Sequence, residues 1–263
     1  MTFYAMKEQR MQTFDPIRIG ILATMTVSLL GGMCLLAADK PEQAPNTLTA
    51  TEQEAGWKLL FDGKSTAGWR GFRKDKCPDG WQVIDGTLDR VKQSGDLVTT
   101  EHYASFDLVF DWRIARTGNS GVMYHVLEDV DRPGFSGPEY QLLDNVEGAD
   151  PQRAGWCYAL YQPPIDPRTG KPRDTTGPAG QWNTSRILVD GAHVEHWMNG
   201  VKYVEYELWS EDWNARVAKS KFAAIAGFAK AKTGCICLQD HGGEVAFRNI
   251  KIRPIQHEAK SSP

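Results

Sequence analysis

The sequence predicts an all-β fold of antiparallel strands, closed as a sandwich or a barrel, with one short helix and long loops. Three observations carry that expectation. Between Phe106 and Ile114, the apolar residues Phe106, Leu108, Phe110, Trp112 and Ile114 alternate with Asp107, Val109, Asp111 and Arg113. That period of two belongs to a strand with one buried and one wetter face. Asp85-Gly86, Asp190-Gly191 and Asn199-Gly200 separate strand-like runs, and such pairs tolerate the positive φ of tight hairpins. Helical character is confined to Ser210–Lys219, where Ser210 offers an N-cap.

The elements follow in order. Ile19 to Ala38 is uncharged and apolar, with Arg18 just before it, so residues 1–38 read as a signal peptide or an N-terminal membrane anchor. Export follows from either reading, with the protein periplasmic, secreted or held at the membrane by that segment. Residues 39–55 are rich in Pro, Glu, Gln and Thr without periodicity and read as a linker. A single domain is expected over 56–254, and 255–263 reads as a flexible tail. Within the domain, the turns at Asp190-Gly191 and Asn199-Gly200 give a three-strand meander from Trp182 to Glu207. Gly242-Gly243 is expected to turn Cys235–His241 into Val245–Arg253 in the same way. Tyr161 to Gln181 holds five prolines and three glycines, which makes it a long loop of the kind that forms lids or site walls.

Composition narrows the function. A net charge of -3, and no run of Lys or Arg, exclude a nucleic-acid footprint and favour a small or neutral ligand. Nine tryptophans are many for this length; most are expected in the core, with two or three left to serve as flat sugar platforms. Beyond the apolar segment lie Cys77, Cys157, Cys235 and Cys237, which allow three disulfide pairings. Cys235 and Cys237 share a strand face and are poorly placed to bond each other, and buried free thiols are an equal alternative. No cofactor is called for. A divalent metal has carboxylate and imidazole ligands to draw on, but no spacing argues for one. Nucleophile-elbow, phosphate-loop and H-E-x-x-H patterns are absent, as is the paired-carboxylate motif of β-glucanases.

What stands out is polar side chains inside strands. In Gly137–Asp144, Glu139 and Gln141 share one face and Tyr140 and Leu142 the other. A carboxylate beside an amide can accept from and donate to sugar hydroxyls. Asn119 and His125 share a face in Asn119–His125, Gln239 and His241 pair likewise, and His196 lies between Val194 and Met198. For Arg186, satisfying the buried backbone is the structural alternative to a binding role.

The segments WKLLFDGKSTAGWR (Trp57–Arg70), NSGVMYHV, GPEYQLLDN, WNTSRILVDG, VEHWMNGVKYVEYE and LQDHGGEVAFRNIKIRP, in this order from Trp57 to Pro254, resemble the 3-keto-disaccharide hydrolase family. The resemblance implies a concanavalin A-like fold, an antiparallel jelly-roll β-sandwich. It also implies chemistry on 3-keto-glycosides, in which the C3 ketone acidifies the C2 proton and loss of that proton expels the glycosidic oxygen from C1. An oxidised glycoside is then the partner molecule, with a sugar 3-oxidoreductase acting upstream. The catalytic candidates are Glu139, His241, His196 and His125. The substrate-binding candidates are Asn119, Tyr124, Gln141, Asp144, Arg186 and Gln239. Many family members carry Arg where this chain has His125. A non-catalytic, lectin-like carbohydrate-binding module is the alternative on the same fold.

Overall fold

A computed structural model of the chain describes residues 43–257. The expected signal or anchor segment, the first residues of the linker and most of the tail lie outside them. No helix among the described residues is long and apolar enough to cross a membrane.

The described residues form fifteen strands: β1 (Lys58–Leu59), β2 (Trp69–Gly71), β3 (Trp81–Ile84), β4 (Thr87–Arg90), β5 (Leu97–Thr99), β6 (Phe106–Ile114), β7 (Asn119–Val126), β8 (Glu139–Leu143), β9 (Ile165–Asp166), β10 (Lys171–Pro172), β11 (Asn183–Asp190), β12 (His193–Met198), β13 (Val201–Glu207), β14 (Cys235–Leu238) and β15 (Val245–Pro254). The larger sheet runs β13-β12-β11-β6-β15-β4-β3, with β1 also paired to β15. The smaller runs β2-β5-β14-β7-β8, and β9 and β10 form a ribbon of their own. Every pairing within these sheets is antiparallel. The all-β sandwich is therefore as expected.

Alternation decides which side chains meet between the sheets. Phe106, Phe110, Trp112 and Ile187 of the larger sheet are fully buried, as are Val122, Tyr124, Tyr140 and Leu142 of the smaller. Rings that carry a polar atom need a partner when buried. Ser185 Oγ serves two of them, accepting from Trp112 Nε1 at 2.8 Å and from Tyr140 Oη at 2.8 Å. Because Tyr140 points inward, Glu139 on the same strand points outward, onto the outer face of the smaller sheet. A second cluster lies on that outer face, built from Val98, Met123, Val126, Cys235 and Cys237.

Local signals are obeyed in most places. Asp85 and Gly86 take φ of 49° and 79°, and Asn199 and Gly200 take 48° and 77°, which closes the two hairpins. The meander forms as β11-β12-β13. Helix α2 (Glu211–Lys219) starts at Ser210, whose Oγ accepts from Trp213 N at 3.2 Å. The four cysteines among the described residues are free thiols.

Two expectations are corrected. Gly242-Gly243 does not close a hairpin: β14 pairs with β5 and β7, while β15 pairs with β4, β6 and β1. The chain crosses from one sheet to the other there, because β14 is buried on both faces and belongs inside the smaller sheet. Nor is the stretch before residue 56 wholly a linker. It contains helix α1 (Ala50–Glu54), closed by a capping box between Thr49 and Glu52. Asn249 sits at φ 53° where the β15–β6 register shifts between Arg248 and Lys251. Its backbone N–H, turned out of the ladder, donates to Asn46 Oδ1 at 2.8 Å, and Asn46 N donates to Asn249 Oδ1 at 2.6 Å. Glu52 pairs with Lys251 beside them.

Candidate active site

Outside the smaller sheet lies an open cavity of about 410 Å³. Its floor is Met123 of β7, Glu139 at the start of β8, and Gln239 just past β14. One wall is apolar, from a 3-10 turn at Pro133–Phe135 and from Phe222 and Ile225 after α2. The opposite wall is polar, from Asp96, Asp240 and His241, with Arg132 and Lys221 at the apolar side. This size and division suit a small molecule held by a few placed polar groups.

Glu139 is held from below. Met123 is its cross-strand neighbour, and Gly121 lies beside it. A Cβ at Gly121 would stand 2.3 Å from Glu139 Oε1, so only glycine leaves room for the carboxyl. The Gln141 amide, turned so that its nitrogen faces the carboxyl, donates to Ser120 O at 3.0 Å and to Glu139 Oε1 at 3.2 Å. Burial pushes the Glu139 carboxyl from 4.5 up to about 8. The Lys221 ammonium works against that rise, and Asp150 and Asp96 add to it. Among the described residues Glu139 makes no ion pair.

The other two carboxyls divide. Burial raises Asp96, and the neighbouring charge of Asp240 adds to the rise, while the Asp240 N–H donating at 2.7 Å opposes it. Asp240 is also penalised by burial, yet it is held below the usual range. The N–H of Gly95 donates to it at 2.6 Å, that of Ser94 does likewise, and Arg90 Nε donates at 2.6 Å. Asp240 is thus a fixed anion that shapes the loop, whereas Glu139 can exchange a proton near neutrality and Asp96 is shifted in the same upward direction. Gln239 Oε1 is buried without a hydrogen-bond partner beside them.

Of the predicted residues, the fold brings Glu139, Gln239 and His241 to the cavity and places Gln141 behind Glu139. It does not bring the others. His125 is sealed in the interior, its Nε2 2.7 Å from Ala104 O, and burial lowers its pKa. His196 projects from the larger sheet into the core, with Nδ1 3.3 Å from Gly155 O and Nε2 3.2 Å from Tyr206 Oη; burial lowers it to about 3. Neither ring can reach a substrate, so both are corrected from base to core residue. Tyr124 is fully buried, its hydroxyl paired with that of Tyr206. Asp144 binds a turn instead, accepting from Thr117 N at 2.9 Å and Val146 N at 3.1 Å. Arg186 lies on the far side of the sandwich, its Nε donating to Asp107 at 2.6 Å. Asn119 shares the strand face of Met123 but lies outside the cavity lining, with Oδ1 unpartnered. The Tyr161–Gln181 loop does not wall this cavity either.

Four charged residues of the cavity were not singled out by pattern: Asp96, Asp240, Arg132 and Lys221. Asp240 was in view, between Gln239 and His241, but alternation turns it from their face. Asp96, Arg132 and Lys221 sit at strand ends or in loops, where no period marks a direction. Among the described residues one group could gather around a metal ion, His193, Glu195 and Glu205, and it lies on the larger sheet away from this cavity.

An antiparallel sandwich with a two-walled cavity on one sheet, floored by an unpaired carboxyl, defines a protein built to bind and act on a small polar molecule. Comparison names the family. Residues 56–253 match the 3-keto-α-glucoside-1,2-lyase-like domain, and the chain belongs to that family. It is 32% identical to a 3-keto-disaccharide hydrolase of Bacteroides thetaiotaomicron, over 92% of this chain and 98% of that one. It is also similar to the solved structure of a Parabacteroides distasonis protein provisionally named a glycosyl hydrolase. Their identity is 37% and their TM-score 0.74, covering 81% of this chain and 100% of the other. A second such structure from the same organism matches at 26% identity and TM-score 0.54, over 76% and 99% of the two chains.

Proposed function

We propose that this protein cleaves 3-keto-glycosides by removing the C2 proton and expelling the glycosidic oxygen. The protein is a carbohydrate-active enzyme of the glycoside-hydrolase kind. The finer reaction rests on one observation: a carboxyl raised to about 8, without an ion-pair partner, on the floor of a cavity that fits one or two sugar rings.

Glu139 is the base. In its ionised form it takes the C2 proton, and the electron pair left behind moves to the C3 carbonyl as an enolate. The enolate oxygen takes hydrogen bonds from Gln239 or His241, with the Lys221 charge nearby. The enolate then collapses, the C1–O bond breaks, and a C1–C2 double bond forms conjugated to the ketone. Asp96, the second carboxyl of raised pKa, gives its proton to the departing oxygen. Water adding at C1, with return of a proton to C2, completes a net hydrolysis. A base near 8 is well matched to a C–H bond acidified by an adjacent ketone, because proton transfer is most effective when the catalytic pKa lies near the working pH.

The chain is further proposed to be exported, on the apolar Ile19–Ala38 segment, and to take its substrate from a sugar 3-oxidoreductase. The length of the mature N-terminus in cells would check the first point.

The test is to incubate the full chain with 3-keto-glucosides and with their unoxidised parents, following the leaving group. Release from the keto forms alone supports the elimination. Release from the parents as well would overturn it in favour of ordinary glycoside hydrolysis. Saturable binding without release from either would make the protein a lectin-like module.

A further inference from the structure

The Tyr161–Gln181 loop, absent from the candidate active site, walls a second cavity of about 410 Å³. Three cations meet there, Arg153, Lys171 and Arg173, although they are separated in the sequence. The carboxylates close by are already engaged. Asp174 accepts from Asn145 Nδ2 at 3.0 Å and from Thr176 N at 2.9 Å, and Asp166 is held by Arg168 at 2.7 Å. Among the described residues none of the three cations makes an ion pair. With Asp174 the one carboxylate in the lining, the three cations leave a net positive charge, and such charge gathered in a concavity attracts an anion.

The cavity is also pre-shaped. Asn145 ties three segments together: its side chain donates to Asp174 and to Thr176 Oγ1 (3.1 Å), its Oδ1 accepts from Ala154 N at 2.9 Å, and its carbonyl accepts from Arg153 Nη1 at 3.0 Å. Trp156, half-buried in the lining, stacks on no aromatic ring or cation among the described residues. An indole face beside guanidinium groups matches a pyranose ring that carries a negative group: the ring's C–H face packs on the indole, and the guanidinium forks take the oxygens.

We propose that this cavity binds a saccharide bearing an anionic group, carboxylate or sulfate, at a site separate from the one that holds Glu139. The experiment titrates the full chain, by calorimetry and tryptophan fluorescence, with a glucuronate-containing disaccharide, a sulfated disaccharide, their neutral counterpart and inorganic sulfate. An acidic disaccharide should bind at least about tenfold more tightly than the neutral one, the loss expected when hydrogen bonds to a charged group are removed. A preference for the glucuronate form identifies a carboxylate ligand, and a preference for the sulfated form identifies a sulfate ester. Charge reversal at the exposed Lys171 and Arg173 (K171E/R173E) should abolish that preference while leaving melting and glycoside cleavage unchanged. Trp156→Ala should weaken both acidic ligands and quench the fluorescence response. Equal affinity for neutral and acidic disaccharides, or binding indifferent to K171E/R173E, would overturn the proposal. So would inorganic sulfate binding as tightly as the saccharides, since the ring would then contribute nothing.

Discussion

The two outer faces of the sandwich carry similar residue types and use them in opposite ways. On the larger sheet, Asp107 is buried between Arg186 and Arg253, at 2.6 and 3.1 Å. Asp111 takes Asn249 Nδ2 at 2.7 Å and Arg248 Nε at 3.4 Å, and Glu195 takes Lys202 at 3.2 Å. Every one of those carboxylates has a cation or a donor, so burial is offset and the face is structural. On the smaller sheet, Glu139 and Asp96 are half-buried and make no ion pair among the described residues, and their pKa values rise instead. A polar residue inside a strand therefore means little by itself. What separates scaffold from site is whether the charge is compensated.

The largest effect that would test this contrast is Glu139→Gln. Loss of the base should lower cleavage of 3-keto-glycosides by about 10²–10⁴-fold, the usual contribution of a positioned acid or base. In the parent acting on nitrophenyl 3-keto-glycosides, which need no acid, kcat/KM should rise with pH and level off above about 8, and this limb should vanish in the variant. Stability should move the other way. A carboxyl neutral in the fold and ionised in the unfolded chain takes up a proton on folding, so stability falls as pH rises from 4.5 to about 8. Glutamine escapes that penalty, and the variant should melt at or above the parent at pH 8. A variant that is both active and less stable would place Glu139 among the scaffold residues.

Asp96→Asn should come next, and its effect should depend on the leaving group. Cleavage of alkyl 3-keto-glycosides should fall by about 10²-fold, whereas nitrophenyl glycosides, whose oxygen leaves without a proton, should be nearly unaffected. A uniform loss across both would show that Asp96 only holds the Asp240 loop. On the opposite face, Asp107→Asn should leave cleavage unchanged and cost about 1–3 kcal/mol in urea unfolding, because Arg186 and Arg253 lose a partner but stay partly in water. Arg253→Gln should cost the least, under about 1 kcal/mol, since that side chain is 40% exposed.

The same contrast explains how much could be read beforehand. The sandwich was legible because burial writes a period of two into β6 and an Asx-Gly pair into its hairpins. Glu139, Gln239 and His241 were legible as polar breaks in that pattern, and the family resemblance sharpened them. His196 and Arg186 broke the pattern equally well, yet their partners, Gly155, Tyr206 and Asp107, come from distant segments that only the fold assembles. Asp96 and Lys221 broke no pattern at all, because they lie where no strand sets a direction. The crossover at Gly242-Gly243 was misread for a related reason: a glycine pair marks a turn and says nothing about which sheet the chain enters next.

The exchanged hydrogen bonds between Asn46 and Asn249 bear on where this protein can be cut. Family likeness begins at residue 56, but the folding unit reaches back at least ten residues further. A recombinant fragment trimmed to the likeness would leave the turned-out N–H of Asn249, and Lys251, facing solvent on the strand that anchors three others. Such a fragment would be soluble for a while and then lost to proteolysis or aggregation, and its silence in an assay would be mistaken for a lack of activity.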